Sequence, residues 1–172
     1  NIKHPIFREV LKYFEIKGAL ELSSTADLPS GTGLGSSSSF TVGLLHNLFC
    51  RKKIKYNRKL LAEEACKIEI EKLKEPIGKQ DQYAAAYGGL NIFKFNKNGF
   101  VDVVPININK KILYELDNNL LLFYTGIKRK TSSILKKQKQ RIINKDIISS
   151  MEKMVELVWD MKKALENRNL ND

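Results

Sequence analysis

The chain has 172 residues, enough for one domain or for one domain and part of another, and 42% of them are hydrophobic, which suffices for an ordinary core. The formal net charge of +11 favours anionic ligands, but the lysines lie in short scattered clusters, without the aromatic–basic pattern of RNA-recognition modules or a zinc-finger spacing. The apolar runs are too short to span a bilayer, and the first residues lack the apolar segment of a secretory signal. The two isolated cysteines lead us to expect a protein of the reducing cytosol.

The first predicted elements lead into a glycine-rich loop. Apolar residues at helical spacing predict a helix over residues 5–13, and alternating leucines predict a short strand over residues 19–24. Residues 29–39 (PSGTGLGSSSS) follow, with three glycines in five positions and then four serines. Glycine lets a ligand approach the backbone closely, and the N-terminus of the next helix can bind an anion. This order predicts a phosphate-binding loop; the alternative is a tight turn followed by a serine N-cap.

Two helices are predicted after the loop. The first covers residues 37–49 and contains Gly43, which a close contact with a sheet would explain. The second covers residues 58–73, with Asn57 as its N-cap, and ends before a proline. Most glutamates of the second helix are expected to be ordinary solvated charges.

The two cysteines, Cys50 and Cys66, stand far apart in the sequence. They match no metal-binding spacing and no disulfide framework, which agrees with a reducing compartment. We expect both to be small core residues rather than nucleophiles.

A second polar block lies at residues 76–89, where Lys79 and Asp81 occur among small residues with glycines on either side. Small neighbours allow close packing around a polar group, so the carboxylate could act as a base or as the charge partner of the lysine. A loop with a surface ion pair is the equally weighted alternative.

The second half of the chain begins with a predicted hairpin. Residues 90–95 and 100–104 are rich in β-forming side chains and flank an Asn-Gly turn. Residues 120–125 predict a buried apolar strand. It leads into a basic, hydroxyl-rich segment with Arg129 and Thr131, which suits either ligand phosphates or a solvated loop that caps the next helix.

Helical periodicity returns at residues 133–144 and 147–166. The second of these helices has an apolar stripe rich in methionine, which is more typical of core packing than of a partner groove. The stripe consists of Met151, Met154, Val155, Val158, Met161 and Leu165.

Three of these segments together resemble the GHMP kinase family. Residues 29–37 resemble its Pro-x-x-x-Gly-Leu-Gly-Ser-Ser motif, and residues 78–82 (GKQDQ) resemble the segment that carries its catalytic aspartate. Residues 125–131 fit a family segment near the substrate. With its flanking residues, the second segment is most similar to the branch of D-glycero-D-manno-heptose 7-phosphate kinases.

The resemblance implies an α+β fold. Residues 1–131 would form a GHMP kinase-like N-terminal lobe, of a type that also occurs in ribosomal proteins, and residues 132–172 the helical start of the C-terminal lobe. Both lobes are expected to be incomplete, because family segments that contribute to the sugar and phosphate sites would precede Asn1 and follow Asp172. The chain alone is therefore expected to be inactive.

The resemblance also implies an ATP-dependent kinase that uses Mg²⁺. Ser37 and Glu69 would bind the metal; Glu69 lies twelve residues before Asp81, and Glu71 is the alternative. The residues expected at the ATP phosphates are Pro29, Gly31, Gly33, Leu34, Gly35, Ser36, Ser37 and Ser38.

The acceptor is implied to be the sugar phosphate, with no nucleic-acid or membrane partner. Asp81 would take the hydroxyl proton or orient the hydroxyl, and Lys79 would polarise Asp81 or neutralise a phosphate. Gln82, Arg129 and Thr131 would contact the substrate. The alternatives are another GHMP kinase acting on fucose, galactose or mevalonate, a basic nucleic-acid-binding module, and an interaction domain that uses the methionine stripe.

Overall fold

The computed structural model describes residues 2–18, 20–27, 31–124, 126, 145–168 and 170. The chain divides into two compact units, Asn1–Gly88 with Ile127–Lys136 and Gly89–Gly126 with Lys137–Asp172. The boundary expected between residues 131 and 132 stays a prediction. The described elements of the first unit are α1 (Pro5–Tyr13), α2 (Ser36–Arg51), α3 (Arg58–Cys66), a π-helical segment (Lys67–Lys72) and α4 (Gln80–Tyr87).

Helix α2 lies at the centre of the first unit and contacts α1, α3, α4 and the π-helical segment. Its fully buried Leu45 and Leu48 pack in one cluster with Val10 of α1 and Ala65 of α3. The predicted helices α1 and α2 are confirmed, as is the cap of α3, where the Asn57 side chain accepts a hydrogen bond of 2.8 Å from the Leu60 amide.

The predicted helix over residues 58–73 changes its geometry half-way. After Cys66 it continues as the π-helical segment, whose wider turn is seen in the 3.0 Å bond from the Leu73 amide to the Ile68 carbonyl. This segment buries Ile68 and Glu69 and leaves Glu71 exposed. Single turns of π-helix inside an α-helix are frequent at functional sites.

Two expectations for the first unit are wrong. Residues 20–24 are irregular rather than a strand, because no described residue pairs with their backbone, and a strand depends on such a partner; Ala19 lies outside the described residues. The close contact that would explain Gly43 is not seen: the residue is exposed, and no described residue lies within 4 Å of the position of a Cβ there.

The two cysteines have different environments. Cys66 is buried as expected, and burial raises the pKa of its thiol to about 12. Cys50 is exposed at the end of α2, so the expectation of a core position is wrong for this residue.

The second unit begins with the predicted hairpin, which is confirmed. Strands β1 (Asn91–Phe95) and β2 (Val101–Pro105) pair antiparallel, with Phe93 opposite Val103. The sequence did not predict the next helix, α5 (Lys110–Asn118), although Asn109 caps it by accepting a 2.9 Å hydrogen bond from the Ile112 amide.

The last described helix is α6 (Lys145–Glu166), which confirms the helix predicted over residues 147–166. The core expectation for its stripe is wrong except at Leu165, because the other stripe residues are exposed. The buried strand predicted at residues 120–125 is also wrong, since residues 120–124 are irregular and exposed and have no paired strand in the described chain. Residues 125 and 133–144 lie outside the described part.

Helices and a small antiparallel sheet together agree with the expected α+β class. Within the described ranges, no helix is both long and apolar enough to cross a membrane.

Candidate active site

The glycine loop ends in an open helix N-terminus. Gly31, Gly33 and Gly35 all have positive φ, and Gly35, at φ 66° and ψ 23°, is the N-cap of α2. No side chain among the described residues caps this helix, and its first backbone bond runs from the Ser39 amide to the Gly35 carbonyl at 2.9 Å. The amides before Ser39 therefore lack helical acceptors, and the positive end of the helix dipole lies beside them.

The serines after the loop bind a carboxylate rather than cap the helix. Ser37 Oγ donates to Glu69 Oε1 at 2.5 Å, and Ser38 Oγ donates to Glu69 Oε2 at 2.7 Å. The alternative of a serine N-cap is therefore wrong for the described residues. Ser37 is an exposed residue and Ser38 is buried, so of these two residues only Ser37 is open to solvent.

Glu69 is held by three donors in the protein interior. It is 1% exposed, and its third donor is Gln82 Nε2, which lies 2.6 Å from Oε2. A buried carboxylate is tolerated when such bonds replace its water shell. Ser37 and Glu69, the two residues expected to bind Mg²⁺, are thus in direct contact, whereas the alternative ligand Glu71 is exposed elsewhere on the π-helical segment.

Asp81 lies against the glycine loop. It is an exposed residue in the first turn of α4, and a Cβ built on Gly35 would be 3.2 Å from its Cγ and 3.4 Å from its Oδ2. A side chain at position 35 would therefore press on Asp81, which would have to move by a few tenths of an ångström. This contact joins the two polar blocks that the sequence analysis treated separately.

Lys79 immediately precedes α4 and is half-buried. Its carbonyl accepts a 3.3 Å bond from the Tyr83 amide, which starts the helix. Its positive charge reaches the Cys66 thiol, where it partly offsets the effect of burial on the pKa of that thiol. Lys79 therefore lies two residues before Asp81 and close enough to Cys66 for its charge to act on that thiol.

A cavity of about 550 Å³ lies beside the loop in the first unit. One wall is the irregular segment at residues 22–27, and the other is the face of α2 that carries Phe40, Gly43 and Asn47. Sequence reasoning missed this cavity. The available signal was Gly43, a glycine inside a helix whose missing side chain leaves open space rather than a packed contact.

The oxygen atoms present suit magnesium only in part. In the described part of the chain, no group of three or more His, Cys, Asp or Glu side chains could hold a metal ion. Mg²⁺ commonly takes one or two carboxylates and completes its shell with phosphates and water. The adjacent Ser37 hydroxyl and Glu69 carboxylate fit that smaller role.

The described site thus contains two sets of contacts: Glu69 is hydrogen-bonded to Ser37 and Gln82, and Asp81 lies close to Gly35. Gly35 and Ser37 stand two residues apart at the start of α2, and Asp81 and Gln82 are neighbours in α4. Three residues that the resemblance also implied, Pro29, Arg129 and Thr131, lie outside the described residues.

Comparison with known proteins identifies the family. The model of the family described as "GHMP kinases N terminal domain" matches residues 2–89. The chain belongs to the GHMP kinase family. Its first compact unit contains nearly all of the residues that match this GHMP kinase domain.

Two curated GHMP kinases are similar in sequence. The D-glycero-alpha-D-manno-heptose 7-phosphate kinase of Campylobacter jejuni is 32% identical over 166 residues, which are 96% of this chain and 49% of that protein. The galactokinase of Pyrococcus furiosus is 33% identical over 130 residues, which are 76% of this chain and 35% of that protein.

A solved GHMP kinase structure is also similar. The D-glycero-D-manno-heptose 1-phosphate kinase of Bacteroides thetaiotaomicron superposes with a TM-score of 0.73 at 27% identity, over 96% of this chain and 48% of that one. The chain therefore spans about half the length of its heptose kinase relatives.

Proposed function

We propose that the full-length protein transfers a phosphoryl group from ATP to a sugar hydroxyl. The acceptor we propose is D-glycero-D-manno-heptose 7-phosphate, and the product is the 1,7-bisphosphate. The observation that carries this proposal is the contact of Asp81 with Gly35, because it puts a carboxylate beside the uncapped N-terminus of α2.

The glycine loop would hold the ATP phosphates. Backbone amides from Gly33 to Ser37 are the donors, and the dipole of α2 adds a positive field. Gly31 would give the loop its positive-φ turn, while Ser38, whose hydroxyl is turned to Glu69, would contribute its backbone only. Pro29 is proposed from the family motif alone.

The cavity beside the loop would receive the nucleoside. Its volume of about 550 Å³ lies within the usual range of roughly 300–1,000 Å³ for small-molecule sites. Phe40 offers an aromatic contact to a base, and Asp27 and Asn47 offer hydrogen-bonding groups in the same cavity.

Ser37 and Glu69 would hold Mg²⁺ next to the phosphates. When bound, the ion neutralises phosphate charge and fixes the orientation of the transferred group. The hydrogen bond between these side chains supports Glu69 rather than Glu71 as the carboxylate ligand.

Asp81 would accept the proton of the attacking hydroxyl or orient that hydroxyl. Its exposed carboxylate can be reached by an acceptor, and its contact with the loop keeps it near the transferred phosphate. Lys79 would act on Asp81 or on a phosphate through its charge. Arg129 and Thr131 would contact the acceptor phosphate.

Heptose 7-phosphate is supported by the heptose kinase among the similar sequences. The solved relative is named as a heptose 1-phosphate kinase, and a galactokinase is similar as well, so the position of the reacting hydroxyl and the class of sugar both need a direct test. An ATP-using enzyme of this kind would act in the cytoplasm.

The test is an acceptor screen of the full-length protein with ATP and Mg²⁺. Heptose 7-phosphate, heptose 1-phosphate, fucose, galactose and mevalonate are compared at equal concentrations. We expect the highest kcat/KM with heptose 7-phosphate and a product phosphorylated at position 1. A clear preference for another acceptor contradicts the proposed substrate, and no transfer to any of them contradicts the proposed activity.

A gel shift with RNA at increasing salt tests the remaining alternative. A nucleic-acid-binding module would lose affinity steeply with salt because it releases counterions. We expect no specific complex, despite the net charge of +11.

A further inference from the structure

We propose that Gln82 is a positioning residue for Glu69 and makes no contact with the acceptor. Its amide holds Oε2 of the carboxylate, so that Oε1 stays paired with the Ser37 hydroxyl at the start of α2. The inference rests on the proposed function, because it concerns the residues proposed to hold the metal–nucleotide complex.

Burial separates Gln82 from any acceptor. Its side chain is 0% exposed, whereas Asp81, the preceding residue, is exposed. Successive residues of a helix point about 100° apart, so the first turn of α4 directs Asp81 to the glycine loop and Gln82 to the interior.

The two oxygens of Glu69 have different partners. Oε2 accepts from Ser38 and Gln82, which are both buried, at 2.7 and 2.6 Å. Oε1 accepts from Ser37, which is exposed. Two interior donors therefore fix one oxygen, and the other is paired with the hydroxyl of an exposed residue at the start of α2.

The amide of Gln82 is itself only half satisfied. Its Oε1 is buried without a hydrogen-bond partner among the described residues, while its Nε2 donates to Glu69. A buried unpaired amide oxygen costs stability, by about 1–3 kcal/mol in general, and a hydrocarbon side chain of similar length would avoid this cost. The bond to Glu69 accounts for an amide at this position.

The arrangement also links two parts of the site. The first turn of α4 places Asp81 beside the glycine loop and Gln82 beside Glu69. A small shift of this turn would therefore move the Asp81 carboxylate and, through Gln82, the Glu69 carboxylate together. Partners that orient a metal-binding side chain typically change metal affinity by about 10–100-fold when they are removed.

The experiment measures Mn²⁺ binding to the full-length protein in the presence of ADP, by electron paramagnetic resonance. Gln82→Met keeps the length of the side chain and removes the donor. We expect its Mn²⁺ dissociation constant to rise about tenfold, while KM for the acceptor stays within about twofold. Gln80→Met, the same substitution at an exposed position of α4, controls for the new methionine and should leave the Mn²⁺ dissociation constant within about twofold.

A double-mutant cycle separates positioning from a general effect on the fold. In a Glu69→Gln background, Gln82→Met should change the Mn²⁺ dissociation constant no further, because its target carboxylate is gone. An equal rise in both backgrounds overturns the proposal. A raised acceptor KM with unchanged Mn²⁺ binding overturns it too, and would make Gln82 a substrate contact.

Ser38→Ala provides a second measurement if Gln82→Met does not fold. It removes the other buried donor to Oε2 and should also raise the Mn²⁺ dissociation constant, whereas an unchanged constant overturns the role of the fixed oxygen. Measurements on the wild-type protein distinguish a failure of the proposed function from a failure of the role given to Gln82. If it neither binds Mn²⁺ with ADP nor transfers phosphate, the proposed function fails; if it does both and the variants behave normally, only this inference fails.

Discussion

Gly35 and Asp81 meet where the glycine loop enters helix α2, so closely that a Cβ built on Gly35 would lie 3.2 Å from Cγ of Asp81. Gly35 also has a φ of 66°, in the left-handed region where a side chain is strained. Two separate requirements therefore favour glycine here: the turn into the helix, and room for the carboxylate beside the open amides.

Gly35→Ala should damage both stability and activity. The left-handed conformation costs a non-glycine residue about 1–2 kcal/mol, and the new methyl group would push Asp81 away from the loop. Because small displacements of reacting groups can cost about 100-fold, we expect kcat to fall by this order while the protein still folds. Gly18→Ala is the control, since none of the residues that the structure describes lies within 4 Å of its Cβ position. Wild-type kcat in Gly35→Ala would contradict a role for this contact.

Asp81→Asn should separate catalysis from nucleotide binding. Asparagine keeps the shape beside Gly35 but cannot accept a proton, and general-base catalysis contributes about 100- to 10,000-fold. We expect a loss of kcat of this order in the full-length protein, with ADP affinity by calorimetry within a few-fold of wild type. Near-normal turnover would rule out the role given to Asp81.

The parts of the fold that the sequence predicted correctly depend on local signals. Asn57 caps α3 through the amide three residues later, and the Asn-Gly turn joins two strands that are neighbours in sequence. Residues 20–24 and 120–124 have strand-like patterns but are irregular in the structure. A strand forms only when another strand pairs with it, and the local sequence pattern does not show whether such a partner exists. The expectation of a buried stripe on α6 was wrong for a similar reason, since periodicity identifies an apolar face but does not show what covers it.

The residues of the candidate site could be predicted from the sequence better than the hydrogen bonds between them. The family resemblance identified Ser37, Glu69 and Asp81 as site residues. It did not show the hydrogen bonds that hold Glu69, which join residues 13 to 32 positions apart in the sequence. The π-helical segment that turns Glu69 inward has no periodic signature, and the burial of Gln82 follows from the packing of α4 against α2 and α3. Long-range packing therefore determines both the inward orientation of Glu69 and the burial of Gln82.

Glu69→Gln and Glu71→Gln should behave differently. Glutamine at position 69 removes the charge that faces Ser37, so we expect the dissociation constant of Mn²⁺ with ADP to rise at least about tenfold. Glu71 is exposed on the same segment, and its substitution should change that constant by less than about twofold. Electron paramagnetic resonance measures both, and the reverse order would assign the metal to Glu71.

The two thiols should differ in reactivity and in their effect on stability. Exposed Cys50 should react with a thiol reagent at pH 8, whereas Cys66, whose native pKa is about 12, should react only on unfolding. This pKa is raised above the usual value of 9.0, so the thiol loses its proton at a lower pH in the unfolded state than in the native state. The contribution of Cys66 to stability is therefore complete below pH 9 and is lost as the pH rises towards 12. Urea unfolding at pH 8 and pH 10 should show a smaller pH dependence for Cys66→Ala than for wild type. Tyr83, whose pKa burial also raises to about 12, is expected to contribute part of the dependence that remains.

Gly43 allows a graded test of the cavity as the nucleoside site. No described residue lies within 4 Å of its Cβ position, so Gly43→Ala should fit. It should stabilise α2 by up to about 1 kcal/mol, because alanine favours a helix interior over glycine. Gly43→Leu puts a larger side chain towards the cavity between α2 and residues 22–27, so we expect KM for ATP to rise about tenfold with KM for the acceptor little changed. Thermal unfolding and initial rates with each substrate varied in turn measure both effects. An acceptor KM that rises instead would mean that this cavity receives the sugar, and the nucleoside would then have to bind on another face of the glycine loop.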